Sequence, residues 1–470
     1  MERGSLKHCS HWSDPWSRLL CRLIAGLAII VVFTGQSAAR AQDGAYATTL
    51  KYVIHFYPRW FTYWQEKLTS TNRLVGPDRM APIYHDVVAP NDDTLYVSSF
   101  MDLTREPVIL TIPTTTVTYS LLVLDPYGDV LPIGIDNKTP GTYALTGPDW
   151  TGTLPAGVTP IAVTLNVTQW IIRADKFSPS GEDQIPKAAI FRASLRAGTL
   201  TEYLTDPSMT TPVIVPVELA SIPFKGLADV LSTKDSIEFL KELQTAVASA
   251  GTPPLSPDEQ LLSERFNQLF EMRSSDLSAF IKATRKAHSL IVADYVTHKG
   301  TNNWIHFTNI GIWSDAQDLD RSAITEYIQY GNGIDTAAYY QTFQDGNAKP
   351  LSANLSKGYV LTFPQGQTPE TSRFWSVTAY VPDSITLVPN DANKYVVGSY
   401  TPGLQTNGDG STSIYMFPKL PIGVPAANWL PVPRGRFNIM LRDYGPLGSV
   451  ASDTYVPPPV VATKVSQLPH

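Results

Sequence analysis

The chain has 470 residues, a net charge of −6, 43 % hydrophobic residues and only 17 % charged ones. That length allows two or three domains with a substantial core. A mildly acidic chain without a basic run argues against a nucleic-acid partner and against electrostatic docking on anionic lipid.

The first stretch reads as a leader. Leu19 to Thr34 is apolar apart from Arg22, basic residues precede it, and Ala39-Arg-Ala41 supplies a small-x-small cleavage site. The pattern predicts a signal peptide over residues 1–41 and a secreted or extracytoplasmic protein. An uncleaved leader anchoring the chain in a membrane is the alternative, although the apolar core is short beside the ~20 residues a span needs. Both cysteines, Cys9 and Cys21, fall in the leader, so the mature chain has no disulfide, thiolate nucleophile or cysteine-bound metal. Three sequons, at Asn137, Asn166 and Asn354, are glycosylation candidates in a host that performs it.

Residues 46–79 form a predicted helical segment. Tyr52, Phe56, Trp60, Tyr63 and Trp64 recur at helical spacing, as a core face or a ligand wall, and Pro58 is expected to kink or split the helix. Residues 80–200 change to short alternating runs, among them Val97 to Asp102, Pro107 to Pro113, Thr118 to Asp125, Gly141 to Thr146, Ile161 to Asn166 and Trp170 to Arg173. Turn residues every eight to twelve positions make this a β-sandwich domain. Residues 201–345 read as largely helical, with an extended linker from Pro207 to Pro216. Helices are predicted over Asp235–Ala250, Pro257–Ala293, Leu319–Tyr330 and Thr336–Phe343. Ser256-Pro-Asp-Glu259 has the form of a helix start, with Pro in the first turn and acids on the dipole. Residues 346–448 return to strands as a second sandwich, and 449–470 form a proline-rich tail, extended or loose. The predicted fold is therefore mainly β, two jelly-roll-like antiparallel sandwiches with a helical N-terminal segment and a helical middle insertion.

The two β regions echo each other. Thr118 to Gly128 resembles Arg373 to Asp383 in style, and a Trp/Pro/Gly turn precedes a strand ending in arginine in both halves, at Arg173 and at Arg442. A divergent duplication accounts for this, and so does a coincidence of strand chemistry.

At Pro90-Asn-Asp-Asp-Thr-Leu-Tyr96, Gly147-Pro-Asp-Trp150, Phe374-Trp-Ser-Val-Thr-Ala-Tyr380, Leu387-Val-Pro-Asn390, Asp409-Gly-Ser411 and Trp429-Leu-Pro-Val-Pro433 the chain resembles the tandem DUF1254/DUF1214 family. The resemblance spans roughly residues 50–446. It implies tandem all-β domains with helical insertions in an exported protein, and it carries over no catalytic residue.

Candidate chemistry concentrates in two places. Asn91, Asp92 and Asp93, with Tyr96 and Asp102, could bind a cation, a sugar or another polar molecule; an Asx turn at the start of a strand is the structural alternative. Arg373 and Trp375 fall on one face of a regular strand with Tyr380 on the other, and Arg436 and Arg442 can share a face. Arginine beside an aromatic ring suits a carboxylate or a sugar, and pairing with Asp383 or Asp409 is the structural alternative. His85 beside Asp92 and Asp93 is the weak catalytic candidate. No nucleophile elbow, phosphate loop or zinc spacing is present, so no cofactor or metal is expected. The expected function is an exported protein binding a small polar or glycan-like molecule. A carboxylate-based hydrolase or lyase, and a structural or cell-surface protein, are the alternatives. Homo-oligomerisation is left open.

Overall fold

The computed structural model describes residues 43–76, 85–131, 139–208, 220–272 and 277–468. The predicted leader with Cys9 and Cys21, most of the 207–216 linker and the Asn137 sequon lie outside them. A helix, α1 (residues 43–67), opens the described chain. Tyr52, Val53, Phe56, Tyr57, Trp60 and Phe61 are all fully enclosed, and so is Arg59, which pairs with Glu66, so the middle of this helix is central rather than one-faced. Pro58 does not split it. The proline has no N–H for the Ile54 carbonyl, and Ser322 Oγ donates to that carbonyl instead at 2.6 Å.

Strands β1 (Thr94–Asp102), β2 (Val108–Ile112), β3 (Tyr119–Leu124), β4 (Gly141–Thr146), β5 (Val158–Ala162) and β6 (Val167–Asp175) follow, then helix α2 (Ile185–Ser194), β7 (Arg196–Thr199) and α3 (Leu200–Thr205). The middle of the chain supplies α4 (Phe224–Lys234), α5 (Ser236–Val247), α6 (Pro257–Glu271), α7 (Ser278–Thr297) and α8 (Asp318–Tyr327). Ser256 and Glu259 close a reciprocal capping box at the start of α6. The single helix expected over Pro257–Ala293 is therefore two, α6 and α7.

The last third holds β8 (Ala337–Thr342), β9 (Ser352–Ala353), β10 (Lys357–Phe363), β11 (Thr371–Tyr380), β12 (Val396–Gly398), β13 (Thr412–Phe417), β14 (Trp429–Pro431), β15 (Gly435–Arg436), β16 (Asn438–Pro446), helix α9 (Gly448–Ala451) and β17 (Val460–Lys464). One sequence expectation fails here. Thr336–Phe343 is not a helix, because Ala337–Thr342 is buried on both faces and pairs with β16. In the tail the extended form is found, with β17 paired to β10 and Val460 in the core.

The result is a mixed α/β chain with seventeen strands in five sheets and nine helices among the described residues, and no sheet closes into a barrel. The strand orders repeat. One half has β1-β6-β3 and β5-β4-β2-β7; the other has β8-β16-β11-β12 and β14-β13-β10-β17. β4–β5 and β13–β14 are the only parallel pairs among the described strands, and they occupy matching places. The register matches as well. Arg173 on β6 lies opposite Tyr96 and Ser120, while Arg442 on β16 lies opposite Tyr339 and Ser376. Within each half, one apolar cluster draws on both sheets, around Trp170 and Ile172 in the first repeat and around Trp375 and Leu441 in the second. A larger aromatic cluster joins α1 and the helices to the other face of β16 through Met440 and Tyr444.

Candidate functional site

The site grows out of the two matching arginines. A short segment leads into the first strand of each repeat, Ala89-Pro-Asn91 before β1 and Tyr330-Gly-Asn332 before β8. Each is held by the arginine of the other repeat. Arg442 Nη2 donates to the Ala89 carbonyl at 2.7 Å, and Arg173 Nη2 donates to the Tyr330 carbonyl at 2.9 Å. Both carbonyls belong to non-glycine residues in the left-handed region, Ala89 at φ 51° and Tyr330 at φ 47°, with Gln329 beside it at 49°. Such conformations cost of order 1–3 kcal/mol each and persist where surrounding bonds impose them. The asparagines differ: Asn91 Nδ2 donates across the seam to Tyr444 Oη at 2.7 Å, whereas Asn332 Nδ2 donates to Tyr339 Oη of its own repeat at 2.8 Å.

The exchange is asymmetric in charge. Asp93, two residues after Asn91, is buried near Arg442 and accepts from Ser376 Oγ at 3.0 Å and from Tyr400 Oη. Burial raises its pKa, opposed by the Arg442 charge and by those two hydroxyls. The acid of the second lead-in segment is Asp335, three residues after Asn332, and it is exposed. No carboxylate pairs with Arg173 among the described residues. Its other bond goes to Asn332 Oδ1 at 3.2 Å, it sits 5.3 Å from the Tyr96 ring, and its Nε has no partner.

Arg173 lines a cleft of about 500 Å³, mouth included, on the outward face of β1 and β6. The floor is Tyr96, Ser98, Gln169 and Ile171; the lid is Val87 to Pro90 with Gln329 and Tyr330. Gln169 is buried there with Oε1 unpartnered. Gly76 closes one side, where a Cβ would meet the Tyr96 carbonyl at 2.7 Å.

The sequence candidates divide. Asn91, Tyr96, Arg373 and Arg442 converge on the seam between the repeats. Arg373 Nε donates to Asp175 Oδ2 at 3.1 Å rather than to Asp383 or Asp409. It does not share a face with Trp375: the register shift between Thr371 and Phe374 turns it to the seam, while Trp375 packs 5.0 Å from Phe363 in the core. Arg436 is exposed on the β9–β15 ribbon, away from the buried Arg442, and Asp102 is exposed at the far end of β1. Asn91 Oδ1 also closes the expected Asx turn with the Asp93 amide at 3.0 Å. The catalytic candidates go three ways. Asp92 pairs with Lys176 at 2.5 Å, Asp93 turns to Ser376 and Tyr400, and His85 Nδ1 lies 3.2 Å from the Ala220 carbonyl. Sequence reasoning misses Gln169 and the lid pair Gln329–Tyr330; the echo between the Arg173 and Arg442 strands is the one signal toward them.

A second polar cluster lies among the helices. Asp229, His288 and Glu326 present ligand atoms within 4.8 Å of one another. Lys225 Nζ already bridges the two carboxylates, 2.9 Å from each. His288 Nε2 lies 2.9 Å from Asp229 Oδ1; burial works against its charge, and the hydrogen bonds to Asp229 and Glu326 outweigh that and push its pKa up to about 9. Two cations thus answer two carboxylates, so no metal ion is needed for charge balance.

Residues 71–198 match a family model described as a protein of unknown function, DUF1254, and residues 336–448 match a second, DUF1214, described in the same way. The structure is similar to that of the VPA0106 protein from Vibrio parahaemolyticus, with TM-score 0.56 and 20 % identity over 89 % of this chain and 100 % of that one. It also matches an uncharacterized protein from Burkholderia cenocepacia at TM-score 0.43 and 14 % identity, over 93 % of this chain and 99 % of the other. No match was found among curated proteins.

Proposed function

The chain belongs to the tandem DUF1254/DUF1214 family, and we propose that it binds a small polar molecule carrying an anionic group in the cleft beside Arg173. The observation that carries this reading is a buried guanidinium without an acid. The matching Arg442 has Asp93 beside it, whereas Asp335, the acid of the second lead-in segment, is exposed and no carboxylate pairs with Arg173 among the described residues. A buried unpaired charge is costly, and a bound carboxylate would offset that cost. Apolar walls with a few convergent polar groups are the usual composition of small-molecule sites. Within this reading each pair of sheets is a sandwich, whose rims meet at the seam. The leader over residues 1–41 makes the protein an exported one.

The test is thermal unfolding of the full chain with acetate, benzoate, 4-hydroxybenzoate and glucuronate, each beside its neutral amide. At one hundred times its dissociation constant a ligand adds about 2.7 kcal/mol. At least one acid is expected to raise the melting temperature while its amide does not. Ile171→Trp, which places a ring in the open space, should remove the effect. Equal shifts from acids and amides, or an effect that survives Ile171→Trp, would refute the proposal.

A further inference from the structure

We infer that the ligand is a hydroxylated aromatic acid, its hydroxyl directed to Gln169 and its acid to Arg173; this rests on the cleft being a binding site. The second repeat supplies the reason. There the matching face is filled by helix α7. Tyr295 is fully buried, and its hydroxyl donates to Gln341 Oε1. Gln341 Nε2 passes the chain on to Asn438 Oδ1 at 2.7 Å.

These residues have counterparts around the cleft. Gln341 lies two positions beyond Tyr339 on β8, as Ser98 lies two beyond Tyr96 on β1. Asn438 lies four before Arg442 on β16, as Gln169 lies four before Arg173 on β6. Met440, under the plug, corresponds to Ile171 in the cleft floor. In one repeat, then, a phenol from the chain itself occupies the place that the other repeat leaves open. No residue of α7 lines the cleft, whose lid is Val87 to Pro90 and Gln329–Tyr330.

The polar groups have been rearranged to suit a free ligand. Ser98 is too short to repeat the role of Gln341, but Gln169 brings a buried amide oxygen with no donor. A phenol hydroxyl is such a donor. Arg173 Nε is a buried donor with no acceptor, on the same strand face four residues along. A ring with a hydroxyl at one end and a carboxylate at the other meets both. Ile171, Val87 and Tyr330 supply apolar contact to the ring between them. A sugar acid would satisfy Arg173 but would press several hydroxyls against those walls without partners.

The experiment is calorimetric titration of the full chain with 4-hydroxybenzoate, benzoate, 4-methylphenol and glucuronate. 4-Hydroxybenzoate is expected to bind tightest, with benzoate and 4-methylphenol each about tenfold weaker, since one buried hydrogen bond is worth about that factor. Gln169→Leu should abolish the difference between 4-hydroxybenzoate and benzoate, and an unchanged far-ultraviolet circular dichroism spectrum reports that the variant is folded. Benzoate or glucuronate binding as tightly as 4-hydroxybenzoate would overturn the phenol assignment and leave the anion site standing. Failure of every probe to bind would overturn both.

Discussion

Replacing Asp443 by asparagine should make the protein more stable at neutral pH and change its pH dependence in a calculable way. Asp443 is completely enclosed on the inward face of β16, and neither carboxylate oxygen has a hydrogen-bond partner. Burial lifts its pKa to about 7 from an ordinary 3.8. Between those values the unfolded chain has released a proton that the folded chain retains. Stability therefore falls as pH rises through this window, by about 1.4 kcal/mol per unit and about 4 kcal/mol in total, and this contribution is constant above pH 7. The asparagine side chain has no such titration. Urea unfolding of wild type and Asp443→Asn from pH 3 to 8 should show a difference near zero at the acid end that grows in favour of the variant and levels off near pH 7. Other carboxylates with raised pKa values, such as Asp86 and Asp125, titrate in both proteins and cancel in the difference. A difference that does not vary with pH would refute the assignment of a neutral, unpartnered carboxyl.

Arg442→Leu strips the Ala89 carbonyl of its donor and Asp93 of its cation, so chemical denaturation should report a loss of about 3–5 kcal/mol. Adding Asp93→Asn to that variant should recover part of the loss. Lys225→Met leaves Asp229 and Glu326 facing each other without the ammonium and should cost a similar ~3–5 kcal/mol. Because His288 completes a three-ligand set there, zinc should restore stability to Lys225→Met in a melting assay while leaving wild type unchanged.

Much of the strand pattern is legible because short runs rich in β-branched and aromatic residues are bounded by Pro, Gly and Asp. β1 to β4 fall close to where the residues place them. β8 escapes that reading for a physical reason: Ala337–Thr342 is buried on both faces, and a short, fully buried run carries no period to separate strand from helix. Arg373 departs from the face that strict alternation assigns it because the register shift beside it inverts the alternation. The candidate site is half visible in the sequence. Asn91, Tyr96, Arg373 and Arg442 stand out there and do meet at the seam, but Gln169 reads as one more polar residue in a strand. What makes it a candidate is an unpartnered oxygen at the bottom of a cleft, and that depends on a lid drawn from residues 329–330, about 160 positions away in the chain.

The crossed lead-in segments explain why a ligand site should lie at this seam and in one copy only. In an exchange between two like repeats, every bond has a counterpart, and a perfectly symmetric seam would be equally filled or equally open on both sides. Two departures break the match. Asp335, the acid of the second lead-in segment, is exposed instead of answering Arg173, and Tyr295 plugs one face but has no counterpart on the other. Both leave the Arg173 side short of something, a negative charge in one case and a ring in the other. Each deficit alone would be a local cost that packing or water could absorb. Their coincidence on a single face, under a lid held in left-handed conformations by the Arg173 bond itself, is what a site retained for a ligand requires. A ligand that engages Arg173 would also act on the Tyr330 carbonyl bound to the same guanidinium, so occupancy should be felt in the β8 lead-in segment and through it in the second repeat.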